Sequence, residues 1–177
     1  MNIKKYVIVG IVLLLVITGI AFVSCEGSSM RFNFDEIIDS EYIGDISLTI
    51  YYVSPWIFSM PWSIDDVIRA SGEQKIVISG NDLEEHLDLF RQINNYVLVP
   101  VRRNSSHPDI RIYYVLESRQ NGRLLDVAMW GRDGNMVVNG IEVREAAIFY
   151  DVVIPFLPED IAELLTGFST DAREGTF

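Results

Sequence analysis

The chain has 177 residues, with 14 Lys or Arg against 25 Asp or Glu, for a formal charge of −11. Once an N-terminal targeting segment is set aside, that length leaves about one domain, and a 49% hydrophobic content is too high for a disordered chain. So acidic a surface repels phosphate backbones, which excludes nucleic acid as a partner class, and overall charge cannot hold the domain to anionic lipid.

Lys4 and Lys5 precede Tyr6–Val23, a run without a charged residue. A positive start followed by an apolar run is the pattern of an export signal. A spanning helix needs about 20 apolar residues, within roughly 17–25, so this run is long for a signal core and marginal for a stable span. The lysines keep the N-terminus inside and place the rest of the chain outside the cytoplasm. Cys25 is the single cysteine, so no internal disulfide can form and the exported domain must be stable from its core alone.

The residues before that cysteine read Ala21-Phe22-Val23-Ser24, with Phe22 where leucine is usual. Phe22-Val23-Ser24-Cys25 resembles the lipobox of bacterial lipoproteins. The resemblance implies a diacylglyceryl thioether on Cys25. At ~0.8 kcal/mol per buried methylene, two acyl chains hold on the order of 20 kcal/mol, a permanent membrane anchor. An uncleaved signal-anchor helix and cleavage after Ala21 stay open as alternatives. The chain then divides into an anchor over 1–25, a tether over 26–41, one domain over 42–168 and a tail over 169–177.

Met30–Tyr42 suits either a docking strand or one helical turn, with Phe32, Phe34, Ile37 and Ile38 apolar among acids. Asp45–Val53 alternates as a strand. Ser54–Trp62 is a loop with two prolines, and Ser63 with Asp66 reads as a capping box opening a helix that stops at Ser71-Gly72. Gln74–Ile78 is a short strand. Asn81 and Glu84 suggest a second capping box, opening a helix over Asp82–Asn94 with Leu83, Leu87, Phe90 and Ile93 on one face. Tyr96–Val101 and Asp109–Glu117 are strands on either side of the polar loop Arg102–Pro108. Turns at Asn121-Gly122, Asp133-Gly134 and Asn139-Gly140 separate Leu124–Trp130, Met136–Val138 and Ile141–Val143 into an antiparallel meander. Glu145–Val153 and Pro158–Leu165 read as helices, and 167–177 as a loose tail. The fold class is therefore α+β, an antiparallel β-sheet, with a meander in its second half, packed against one main helix plus short helices.

Leu124–Trp130 followed by Met136–Val143 also resembles the C-terminal domain of uncharacterised small lipoproteins of Gram-positive bacteria, over roughly Ile46–Leu165. The resemblance implies an α+β module with no known active residues.

The stretch Pro55–Trp62 is the candidate partner-binding site. Trp56, Ile57, Phe58, Met60 and Trp62 are large apolar residues of the kind that carry binding energy, placed where a loop normally meets solvent. The same residues could instead fold back over the open end of the sheet. His86 belongs at the edge of a core, and neither it nor His107 has metal-ligand spacing. The pairs Asp65-Asp66, Glu84-Glu85 and Glu159-Asp160 complement helix dipoles. Asn104-Ser105-Ser106 fits the glycosylation triplet, a pattern common by chance. No catalytic, metal or cofactor set stands out. The expectation is a membrane-anchored, extracytoplasmic, non-enzymatic module binding an envelope protein or cell-wall component. The alternatives are an envelope hydrolase using carboxylates, or a ligand sensor or inhibitor domain.

Overall fold

Asn94 reaches back across the chain to cap a helix sixty residues earlier. In this computed structural model, which describes residues 30–31, 33–38, 41–54, 61–101, 109–129 and 135–174, Asn94 Oδ1 accepts from the Phe34 N–H at 2.6 Å and the Asp35 N–H at 3.0 Å. Those amides open helix α1, Phe34–Ile38, and would otherwise lack partners. Phe34 and Ile38 lie one turn apart and are both buried, with Phe34 stacked on Phe90 at 5.6 Å. The preceding Met30–Arg31 forms strand β1. Strand and helical turn thus both occur, and Phe34 and Ile38 join the buried core. Cys25, Trp56, Ile57, Phe58, Met60, the glycosylation triplet, His107, Trp130 and Asp133-Gly134 lie outside the described residues.

Strand β2, Ile46–Tyr52, leads to helix α2, Ile64–Ser71, and back through β3, Ile76–Ser79, which pairs antiparallel with β2. The predicted capping box is present: Ser63 Oγ accepts from the Asp66 N–H, and the Asp66 carboxylate accepts from the Ser63 N–H. The second predicted box is not formed. Gly80, at φ +62°, is the cap, and no side chain assists it.

The single helix expected over Asp82–Asn94 is divided into α3, Asn81–Glu84, and α4, Leu87–Arg91, by a turn at Glu85-His86. Amides donate three residues back at His86, Leu89, Gln92, Ile93, Asn94 and Tyr96. The apolar positions explain this tightening. From Leu83 they fall at Leu87, Phe90 and Ile93, so the last two steps are three residues, shorter than an α-turn. Winding more tightly keeps all four in the core, where each is buried.

Strand β4, Val97–Leu98, pairs with β1. Then β5, Ile112–Ser118, β6, Gly122–Met129, β7, Asn135–Val138, and β8, Ile141–Arg144, form the predicted meander. Asn139 (φ +48°) and Gly140 (φ +76°) both take the left-handed conformation that a two-residue hairpin turn demands. The main sheet has six strands in the order β3-β2-β5-β6-β7-β8, all antiparallel. Helix α5, Ala147–Asp151, and helix α6, Glu159–Glu174, complete the chain. The second runs well past Leu165, into the stretch expected to be a loose tail. Ser169 holds it down: the residue is buried and its hydroxyl donates to Asp151 Oδ1 at 2.7 Å.

Register places the core. Leu48, Leu116 and Leu125 oppose one another across three strands, as do Ile50, Tyr114, Val127 and Val138 across four. This inner face packs against Phe34, Leu83, Phe90, Phe149, Ile161 and Leu165 from the helical layer. The outer face carries a second row, Tyr51, Tyr113, Ala128 and Val137. It is covered in part by α2, through Val67 and Ile64, and by Trp62.

A candidate binding cleft on the outer sheet face

The residues just before α2 are fastened to the segment that enters β5. The Trp62 N–H donates to Asp109 Oδ1 at 3.2 Å, and the Trp62 carbonyl accepts from the Ile110 N–H at 2.9 Å. Arg111, almost wholly buried, pairs with Asp109 at 2.9 Å and lays its guanidinium 5.7 Å from the Trp62 ring centre. A desolvated cation over an indole face is worth about 2 kcal/mol. The Trp62 Nε1–H is buried without a hydrogen-bond partner among the described residues. Trp62 is therefore set in place by its backbone, by Asp109 and by stacking.

Because α2 covers only part of the outer face, a cleft of about 620 Å³ remains beside it. Its apolar surface comes from Trp62, Ile64, Ile68, Ile110, Tyr113 and Val137, and its charged groups are Asp65, Asp66, Arg123 and Asp126. A volume of roughly 300–1,000 Å³ with a mainly apolar lining and a few fixed polar groups suits a small ligand or one side of a peptide.

The polar groups are held by their neighbours. Asp126 is nearly buried, accepts from the Tyr113 hydroxyl at 3.3 Å and pairs with Arg123 at 3.2 Å. Its backbone is clamped by Asn139, whose Oδ1 takes the Asp126 N–H and whose own N–H donates to the Asp126 carbonyl, both at 2.9 Å. Burial first, and then the charge of Asp126, push the Tyr113 phenol up to about 12. It is thus a neutral donor at physiological pH. The hydrogen bonds from Ser63 hold the Asp66 carboxyl below its ordinary value of 3.8. The Glu41 carboxyl is likewise held below 4.5 by Ser118 and Asn121, at the turn between β5 and β6.

Of the five residues expected to form a partner site, Trp62 is the described one, and it lines this cleft. His86 is half-buried with its ring edge-on to Phe156 at 4.7 Å, in the helical layer on the opposite side of the sheet. Asp65-Asp66 and Glu159-Asp160 occupy first helical turns as expected. The residues not foreseen were Asp109, Arg111, Tyr113, Arg123 and Asp126. One signal was present in the sequence: along Ile112–Leu116 the positions between the inward-facing Ile112, Tyr114 and Leu116 hold Tyr113 and Val115, large groups suited to a second covered face. Asp126 sits alone among Leu124, Leu125 and Val127, a mark of a buried polar role.

Among the described residues no group of three His, Cys, Asp or Glu is placed to hold a metal, and no helix is long and apolar enough to cross a membrane. No family model, no curated protein and no solved structure matches the chain.

Proposed function

We propose that this chain is a membrane-anchored extracytoplasmic binding module whose ligand site is the cleft beside α2. The observation that carries the reading is the pairing of an apolar floor with three carboxylates, Asp65, Asp66 and Asp126, against one arginine. Such a site favours an apolar group bearing a positive charge, as on a cationic amphipathic molecule or a basic peptide segment. The anchor is Cys25 in the lipobox-like sequence, or the apolar helix left uncleaved. Trp56, Ile57, Phe58 and Met60, which directly precede Pro61-Trp62 in sequence, stay candidates for the same partner.

The test is a titration of the full-length protein in detergent with an arylalkyl-ammonium probe and its arylalkyl-carboxylate counterpart, followed by tryptophan fluorescence. The ammonium compound is expected to saturate at lower concentration than the carboxylate. Ile68→Arg, at an exposed position on the cleft wall, should weaken it about tenfold, or 1.4 kcal/mol, with the circular dichroism spectrum unchanged. If both probes bind alike, and alike to wild type and Ile68→Arg, the cleft is not the ligand site.

A further inference from the structure

The first described strand fixes which way the domain can face. Cys25 lies five residues before Met30, and the apolar run ends at Val23, seven before it. At no more than ~3.6 Å per residue these reach about 18 and 25 Å. A domain of this size is roughly 35 Å across. With so short a connection, the side of the molecule beside β1 stays next to the anchor, and the far edge at β3 cannot turn toward it.

That near side has an unusual surface. Val97 and Val99 stand out to solvent, at 41% and 46% exposure, on either side of the buried Leu98. Tyr96 beside them is 39% exposed. Arg31 is opposite Val97 in the β1–β4 pair. Beyond it, the bridge Pro100–Val143, with the Arg144 N–H donating to the Val99 carbonyl and the Val101 N–H to the Glu142 carbonyl, sets Arg144 opposite Val99. Opposed residues of an antiparallel pair share a face, so Arg31, Val97, Val99 and Arg144 share one surface. Arg69, Arg91, Arg111, Arg119 and Arg123 each hold a carboxylate. Arg31 and Arg144 make no ion pair with any described residue. The nearby Glu142 is engaged by Asn135 at 3.1 Å, and Asp35 by Arg91 at 3.5 Å.

We propose that this surface, Arg31, Val97, Val99 and Arg144 with Tyr96 at its margin, rests on the bilayer that holds the anchor, its arginines on lipid phosphates and its valines in the interfacial region. The proposal rests on the anchored reading above. The acidic remainder of the domain is repelled by the same headgroups. Tyr96 suits this position, because aromatic rings with a polar tip favour the membrane interface.

The experiment reconstitutes full-length protein into vesicles of equal phosphatidylglycerol and phosphatidylcholine, and into phosphatidylcholine alone. Each preparation is floated on a density gradient and footprinted with hydroxyl radicals. Tyr42, 71% exposed, and Val77, 55% exposed on the far edge strand, serve as internal references. Labelling of Tyr96, Val97 and Val99 relative to them is expected to fall several-fold on moving from detergent to the anionic vesicles. It should fall less in phosphatidylcholine, and recover in Arg31→Glu/Arg144→Glu, which still floats. A protein that floats with these residues labelled as in detergent overturns the docked surface while leaving the anchor standing. Protein that stays at the bottom of the gradient removes the anchor, and the docked surface with it. Protection already present in detergent that rises with protein concentration assigns the surface to a second copy and also overturns the proposal.

Discussion

Tyr113 and Asp126 show how a few groups on one sheet face set the chemistry of the cleft. The phenol is buried against a carboxylate, and both effects favour its neutral form. The sign of the resulting pH dependence follows directly. Below the ordinary value of 10.0, folded and unfolded chains both keep the proton; between 10 and about 12 the unfolded chain releases it and the folded chain does not. The folded state then binds more protons, so stability falls as pH rises through that window. Urea unfolding of Tyr113→Phe should therefore show a shallower loss of stability from pH 10 to 12 than wild type. An unchanged slope would mean that the phenol titrates freely in the folded protein. The contrast should be read from the slope, since the variant also loses the hydrogen bond to Asp126.

Helix α2 forms one wall of the cleft and is short, so its ends matter more than its interior. Ser63 supplies the cap, and Asp66 answers it from within the first turn. Ser63→Ala removes both hydrogen bonds made by the hydroxyl, and should cost about 1 kcal/mol in chemical denaturation. Ser63→Asp, which can accept the same amide, should recover much of it. If alanine is neutral here, α2 is held by Val67 and Ile64 against the sheet rather than by its cap. The paired turns α3 and α4 teach the complementary lesson. Their apolar positions were read correctly as one buried face, but the spacing of those positions, rather than the cap residues, decided how the backbone wound.

Across the whole molecule the two sheet faces carry unequal shares. The inner face joins five of the six strands to the helical layer through a continuous set of buried side chains. Phe149 is at its centre, fully buried, with its carbonyl accepting from the Tyr114 hydroxyl at 3.2 Å and its ring edge-on to Tyr96 at 6.2 Å. Phe149→Ala should cost about 3–5 kcal/mol, the range for an aromatic removed from a packed core. Ile68→Ala, on the cleft wall and partly exposed, should stay within about 0.5 kcal/mol. Thermal or chemical unfolding of the two variants measures the difference. Similar losses would place the cleft wall inside the cooperative core and argue against an open site.

Local chemistry settled much of this fold before any packing was known. Alternation placed β2, β5 and β6, Ser63 and Asp66 marked the start of α2, and Asn139-Gly140 specified a hairpin turn, because each depends on dihedral preferences and on neighbours within a few residues. Leu83, Leu87, Phe90 and Ile93 announced a buried face for the same reason. Long-range contacts decided the rest. Asn94 caps α1 from sixty residues away, Ser169 draws the last helix onto Asp151, and Asp109 with Arg111 fixes Trp62 only once β5 lies beside the start of α2. The cleft belongs to this second group. Its residues come from Pro61 to Val137, and its volume is the part of the outer sheet face that a short helix leaves uncovered. Periodicity reports which side of an element is apolar; how far a neighbour extends over that side is set by packing between elements distant in the chain.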